Sequence, residues 1–344
     1  MVHVALLVGT AVVIYVACEW FVNAIEWLGL HLRIGPIAVG TILAAVGTAL
    51  PESVVTFVAV VFGHSATFDA IGMGAALGGP LVLATIAYAV VGFVLLLRGR
   101  RQVVMRNTRP ASGNPAWESD SDVEVPTKQL VRDQRWFLAV FVVKVGLGLV
   151  TFAVKPWLGF AFFAVYIVYF IREVSAGGEH DESTLEPLKL TPRTVRPHVG
   201  AVVAQTVGAL AAIFVASQLF VDQLAWAGKT LGLSASVVAL LLSPVATELP
   251  ETINALIWVR QGKTQLALAN ISGAMMIQAT VPSGFGLLFT PWRFDGPLLL
   301  SGLATMVAIG YLLATIGRHR LSSARLAYAA VPYAGFAAGL IFLR

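Results

Sequence analysis

The chain is expected to be an all-α polytopic membrane protein, with ten transmembrane helices arranged as two inverted five-helix repeats. Three observations carry that expectation. Of 344 residues, 58% are hydrophobic and 12% charged, and the mean hydropathy is +0.82. The basic residues sort to alternate connections between apolar runs. One half of the chain also matches the other half without a gap.

Apolar runs long enough to cross a bilayer, about 20 residues at 1.5 Å rise each, recur along nearly the whole length. They place spans at roughly 3–30, 35–63, 68–98, 134–152, 156–174, 197–228, 234–260, 264–290, 296–316 and 323–343. The first, from Val4 to about Leu30, is too long for the apolar core of a cleaved leader and reads as a true span. Gly72, Gly74, Gly78 and Gly79 crowd the third. They suit close helix packing, with room for a passing ion or a rocking helix the lesser alternative. Lys144 lies mid-span in the fourth. The chain then divides into helices 1–3 (1–98), a cytoplasmic loop (99–133), helices 4 and 5 (134–174), a cytoplasmic linker (175–196), helices 6–8 (197–290) and helices 9 and 10 (291–344). The two polar segments have little capacity to bury a core. "EHDE", Glu179 to Glu182, reads as solvated loop, with weak attraction of divalent cations the lesser alternative.

Of the 23 Lys and Arg, only Lys155, Lys229, Arg293 and Arg344 fall on one side of this arrangement; Lys144 is mid-span and the other 18 share the opposite side. That side is the cytoplasm, with both termini outside. The pI of about 9.5 is therefore a topology signal, and no nucleic-acid partner is expected. A single cysteine, Cys18, excludes an intramolecular disulfide framework and a multi-cysteine zinc site. The six histidines and Glu19, Glu26 and Asp222 fall in loops or near span ends.

Shifted by 199 positions (251 minus 52), the segment from Phe21 lies over the segment from Phe220. Phe21/Phe220, Trp27/Trp226, Gly29/Gly228, Thr48/Thr247, Pro51/Pro250 and Glu52/Glu251 coincide. Five spans precede the second copy, so the copies face opposite ways across the membrane. Many secondary transporters use that architecture for alternating access.

At the heart of each copy, proline and glutamate interrupt apolar sequence: "GTALPE" at 47–52 and "ATELPE" at 246–251. A proline inside a helix lacks an N–H and leaves the carbonyl four residues back unbonded, here Gly47 and Ala246. Thr48 and Glu52 are four apart, as are Thr247 and Glu251, so each pair shares a helical face with that carbonyl. Each half thus offers a hydroxyl, a carbonyl and a carboxylate near the mid-plane. These are hard oxygen donors, suited to Ca2+, Na+ or Mg2+. Burying a carboxylate there costs on the order of 2.5–3.5 kcal/mol on insertion scales, so a compensating charge is expected. Glu248 lies three residues from Glu251 and repels it when both are ionised, so proton and cation are expected to compete for the cluster. A purely structural alternative pairs Lys144 with a glutamate and leaves the prolines as kinks.

These residues resemble the cation/calcium exchanger superfamily of sodium/calcium and calcium/proton antiporters, whose repeats carry a G-T-S-L-P-E element on the second and seventh helices. The resemblance covers both repeats and the ten-span layout, and extends upstream through "LGLHLRIGPIAVGTILAAVGTALPE". It implies that Glu52 and Glu251 are the central cation carboxylates and that Thr48 and Thr247 add oxygens. A second element resembling G-N-x-x-G-S-N has decayed: "GAALGGP" puts Gly79 and Pro80, and "ANISGAM" puts Ala274 and Met275, where Ser and Asn stand in the family. Ala49 and Glu248 replace the serines of the first element. Lost hydroxyls and amides put Na+ coupling in doubt, while Glu248 favours a divalent ion or a proton. Asn270, Ser272 and Gln278 remain as further candidate ligands, although buried polar residues more often bond a neighbouring helix.

The sequence thus reads as a prokaryotic plasma-membrane antiporter, a monomer with no resident cofactor and no catalytic or cofactor-binding residues. It would export Ca2+ in exchange for H+ or Na+ while the first and sixth helices slide across the site. The partners are inorganic cations and the lipid bilayer. Rival readings are an antiporter for Mg2+ or a monovalent cation, a transport-inactive relative, and an intramembrane hydrolase. The last is disfavoured because no HExxH or GxSxG motif occurs.

Overall fold

A computed structural model describes residues 2–31, 44–107, 122–123, 127–175, 186–194, 196–260, 262, 264–316 and 321–343. The stretch before "AAVGTALPE", residues 108–121 and 124–126 of the expected 99–133 loop, and "GGEHDEST" lie outside the described residues.

The fold is all-helical, with ten crossings in two inverted repeats. In the first repeat, α1 (Val2–His31) and α2 (Ala44–Phe62) are followed by α3 (Ala66–Val82). A π-helical turn at Leu83–Ala87 carries α3 into α4 (Tyr88–Asn107), so one helix runs past the expected end at 98. Next come α5 (Thr127–Leu149) and α6 (Leu158–Ser175). The second repeat holds α7 (Val199–Leu231), α8 (Ala235–Thr247), α9 (Leu249–Arg260), α10 (Thr264–Phe289) and α11 (Gly296–Ile316). Its last crossing is built from α12 (Ser323–Ala327), a short 3-10 turn and α13 (Val331–Phe342). The span expected as one kinked helix over 234–260 is two helices, because the chain breaks at Glu248. A two-residue pairing, β1 (Asp122–Val123) with β2 (Leu321–Ser322), ties the loop after α4 to the entry of the last crossing.

Seven of the described helices are long and apolar enough to cross a bilayer unaided. The crossings that fall short are α2, the broken α8/α9 pair, and α5 with its buried lysine. Polar or broken spans survive in hydrocarbon only when other protein covers them. Accordingly α2, α3, α8 and α10 form the centre, while α1, α6, α7 and α11 show apolar side chains such as Val8, Ile171, Val207 and Val307 to the outside.

Two contacts position that centre. First, α3 lies directly on α8: a Cβ on Gly74 would fall 2.7 Å from the Ala239 Cβ, and one on Gly78 would fall 2.8 Å from the Pro244 Cγ. The glycines serve close packing there. Second, α1 runs against α7, and the end of the expected linker straps the pair together. Asn23 donates to the carbonyls of Glu186 and Pro187 at 3.3 and 3.2 Å, and the Trp27 indole N–H donates to Glu186 at 3.0 Å. Gln205 donates to the Trp20 carbonyl at 2.8 Å and accepts from the Leu190 N–H at 2.7 Å. Leu188 is wholly buried beneath this strap.

Gly74→Leu or Gly78→Val will force α3 off α8. Overpacking of this kind costs about 1–3 kcal/mol. The purified variants will melt several degrees lower than the parent by tryptophan fluorescence, while Gly310→Ala, where nothing lies within 4 Å of the added Cβ, will not.

Candidate cation site

Glu52 follows Pro51 within α2, and its side chain is completely buried. On the other repeat, α8 ends at Thr247, and Glu248 occupies the break with φ −101° and ψ −5°. The Glu248 N–H closes back on the Pro244 carbonyl at 2.9 Å. Pro250 then stands in the first turn of α9, where a missing N–H costs nothing. It marks a helix start rather than a kink. Glu251 lies in that same first turn, wholly buried, where the positive end of the helix dipole favours a carboxylate.

Thr247 joins the two repeats. Its hydroxyl oxygen lies 2.7 Å from Glu52 Oε2, 2.9 Å from Glu248 Oε1 and 3.2 Å from the Ser243 carbonyl. A hydroxyl has one hydrogen and donates along one of these directions at a time. Two carboxylates therefore share a single donor, and the one not served needs a proton of its own or a cation. Gln278 on α10 donates from Nε2 to Glu248 Oε2 at 2.7 Å. Glu52 Oε1, Gln278 Oε1 and the hydroxyls of Ser243 and Thr56 are buried without a hydrogen-bond partner among the described residues. Buried oxygens of this kind are ordinarily satisfied. A cluster of unsatisfied ones, rich in negative charge, suits a hard cation.

Gly79 explains where the cluster finds its room. A Cβ there would sit 2.8 Å from Glu248 Oε1 and 2.9 Å from Gln278 Oε1. The space above a bare backbone is thus filled by the carboxylate of one helix and the amide of another. Ala274 and Met275 are fully buried among apolar side chains of the main core. They offer no oxygen in place of those lost.

The structure brings together Glu52, Thr247, Glu248 and Gln278. Ser272 instead accepts from Gln134 Nε2 at 3.4 Å, and the same amide donates to the Tyr88 hydroxyl at 2.6 Å. Six residues of helix, about 9 Å of rise, separate it from Gln278. Asn270 is buried, and neither of its amide atoms bonds protein. Gly47, Thr48 and Ala246 lie in helix, but their side-chain surroundings are outside those described. Among the described residues, no three His, Cys, Asp or Glu gather into a ready-made metal cage; the donor set is mixed. The link into the second repeat runs from Glu52 through Thr247 to Glu248, which has no carboxylate counterpart in the first repeat. The repeat match alone points instead to Glu251.

Lys144 departs from the structural alternative. It is fully buried, but its ammonium donates to the carbonyls of Ala76 at 2.6 Å and Gln278 at 3.3 Å, and makes no ion pair among the described residues. That cradle and the Gln134–Tyr88 bond were missed from the sequence. The signal for the cradle was present, because Pro80 and Pro282 each stand four residues beyond one of those carbonyls.

The family model described as sodium/calcium exchanger protein matches residues 2–173 and 201–342. The chain belongs to that family. A curated relative, the inner membrane protein YrbG of Escherichia coli (strain K12), is 24% identical over 322 residues, spanning 90% of this chain and 87% of the relative. Among solved structures, the H+/Ca2+ exchanger CAX superposes with a TM-score of 0.76 at 17% identity, covering 98% of this chain and 82% of that one. The sodium-calcium exchanger NCX_Mj, soaked with Na+ and Sr2+, gives a TM-score of 0.62 at 17% identity, with 98% and 97% covered. These likenesses establish the exchanger fold. Membership of the family puts the chain among multi-pass secondary transporters of inorganic cations and not among enzymes.

Replacing Gly79 by serine will push the Glu248 carboxylate and the Gln278 amide apart. Replacing Thr247 by valine removes the one hydroxyl donor that bridges Glu52 and Glu248, at a cost of about 1–3 kcal/mol. Each variant will lower the melting temperature at neutral pH in cation-free buffer, and a divalent cation will raise it less than in the parent.

Proposed function

We propose that this exchanger is a secondary active antiporter of the plasma membrane that moves Ca2+ out of the cytoplasm, taking H+ in return, by alternating access. The observation that carries the reading is the Thr247 hydroxyl set between two buried carboxylates from oppositely oriented repeats. Such a pair is stable in hydrocarbon only with a proton or a cation between or upon its members, so the two occupants exclude one another. Glu52, Glu248 and Thr247 would ligate the ion, with Gln278 orienting Glu248. Glu251, Thr48, Asn270 and the Gly47 and Ala246 carbonyls complete the proposed donors as the site changes shape, while Ser272, bonded by Gln134, stays apart from them.

Protons are favoured over Na+ as counter-ion on the chemistry of the surroundings. Gly79, Pro80, Ala274, Met275 and Ala49 supply no side-chain oxygen, and Glu248 already fills the room above Gly79. The name of the inner membrane relative and the 18 basic residues gathered on one face support a bacterial-type plasma membrane with both termini outside. The strapped α1–α7 pair supplies a body that can slide as a unit over α2 and α8, and the chain would act as a monomer.

Radioactive Ca2+ uptake into proteoliposomes tests the reading. Uptake will follow an imposed proton gradient and not a sodium gradient, and Glu52→Gln and Glu251→Gln will reduce it to the protein-free background. Because a proton and Ca2+ compete for the same oxygens, half-saturating Ca2+ will rise as pH falls, by up to about tenfold per pH unit for each proton displaced. Uptake that is indifferent to pH under either gradient removes the proton from the mechanism.

A further inference from the structure

The ammonium of Lys144 is held in an unusual way for a buried lysine. An α-helical carbonyl is normally bonded by the N–H four residues on. For Ala76 that residue is Pro80, in α3; for Gln278 it is Pro282, in α10. Neither proline has an N–H, so both carbonyls are freed, on separate helices that line the carboxylate cluster. The two freed oxygens meet at one point, and Lys144 Nζ occupies it, at 2.6 and 3.3 Å. The Phe141 ring, one turn earlier on α5, lies with its centroid 5.1 Å from Nζ. Freed carbonyls at broken membrane helices are a recurring way to coordinate an alkali cation. Gln278 connects the two places: its carbonyl accepts from Lys144, and its side-chain amide donates to Glu248.

We propose that Lys144 is a tethered cation: its ammonium permanently fills a monovalent-cation subsite made by the Ala76 and Gln278 carbonyls, beside the proposed divalent site. The inference rests on the proposed transport reading for the identity of the neighbouring site. Its consequence concerns charge. Lys144 sets one buried ammonium beside the two bridged carboxylates, Glu52 and Glu248. Without that ammonium, the two freed carbonyls would need a monovalent cation in its place. Lys144 thus makes the chain independent of alkali cations at a position where the backbone is built to hold one.

The neutral variants Lys144→Met and Lys144→Gln vacate the subsite. Melting of the purified full-length protein in detergent, with and without Ca2+, reads the result in NaCl, KCl or NH4Cl against choline chloride at constant ionic strength. The parent will be indifferent to which monovalent cation is present. The variants will gain a saturable dependence on one of the small cations, their melting temperature rising about 2 °C or more for each tenfold increase above half-saturation. Ca2+ will stabilise them fully only in that salt. Variants that fold only when a small monovalent cation is supplied support the inference in the same way. Variants equally stable in choline, or unfolded in every salt, overturn it. If Ca2+ fails to stabilise the parent, the transport reading fails; if the parent responds and the variants gain no monovalent dependence, the tethered cation alone is wrong.

Discussion

Hydrocarbon offers a polar group no substitute for a protein partner, and each unsatisfied group costs several kcal/mol there. Prolines stand inside α2, α3, α8 and α10, and buried carboxylates follow two of them, Glu52 after Pro51 and Glu248 after Pro244. Every other feature of the centre answers that constraint. These helices are packed inside a shell of the others, the Glu248 N–H is closed on Pro244, and the Ala76 and Gln278 carbonyls are met by an ammonium. Among the described residues, one oxygen of Glu52 and one of Gln278 remain unsatisfied beside the Thr247 bridge. In the proposed reading, a transported ion supplies the missing partner.

The two repeats do not contribute alike. The first brings one carboxylate, Glu52, and a glycine-bare face on α3. From the second come Thr247, Glu248, Gln278 and the helix start that holds Glu251. Where the family carries hydroxyls and amides on the third and eighth helices, this chain carries Gly79, Pro80, Ala274 and Met275. The space so released is taken by Glu248 and Gln278 from across the interface. A side chain on Gly79 would crowd the observed Glu248 carboxylate, 2.8 Å from the position of its Cβ. The outcome is a site with more charge and fewer neutral oxygens.

Motion is confined by the same packing. The strap at residues 186–190 bonds both α1 and α7 through Asn23, Trp27 and Gln205. At the opposite end of the pair, His3 bonds Gln223 at 2.8 Å and stacks on Trp226. A pair tied at both ends is suited to move as one body in the proposed alternating access, over a centre packed by the glycine contact of α3 on α8 and by the core around α10.

Composition and period were enough to establish the class of fold, the number of crossings, the repeat and the inverted orientation. Bilayer thickness and the asymmetry of basic residues turn those features directly into architecture. Pro51, Glu52, Pro250 and Glu251 announced the centre because such residues are costly in lipid unless something compensates them. Only the tertiary structure decided which oxygens meet. Thr247 faces Glu52 across 195 positions of chain, Gln278 and not Ser272 reaches Glu248, and Lys144 seeks carbonyls and not a carboxylate. Those pairings depend on how far two helices approach and how each is rotated, which small residues such as Gly74, Gly78 and Gly79 set. A one-dimensional pattern tells which face of a helix is polar, but the distance between two such faces is a property of the packed whole.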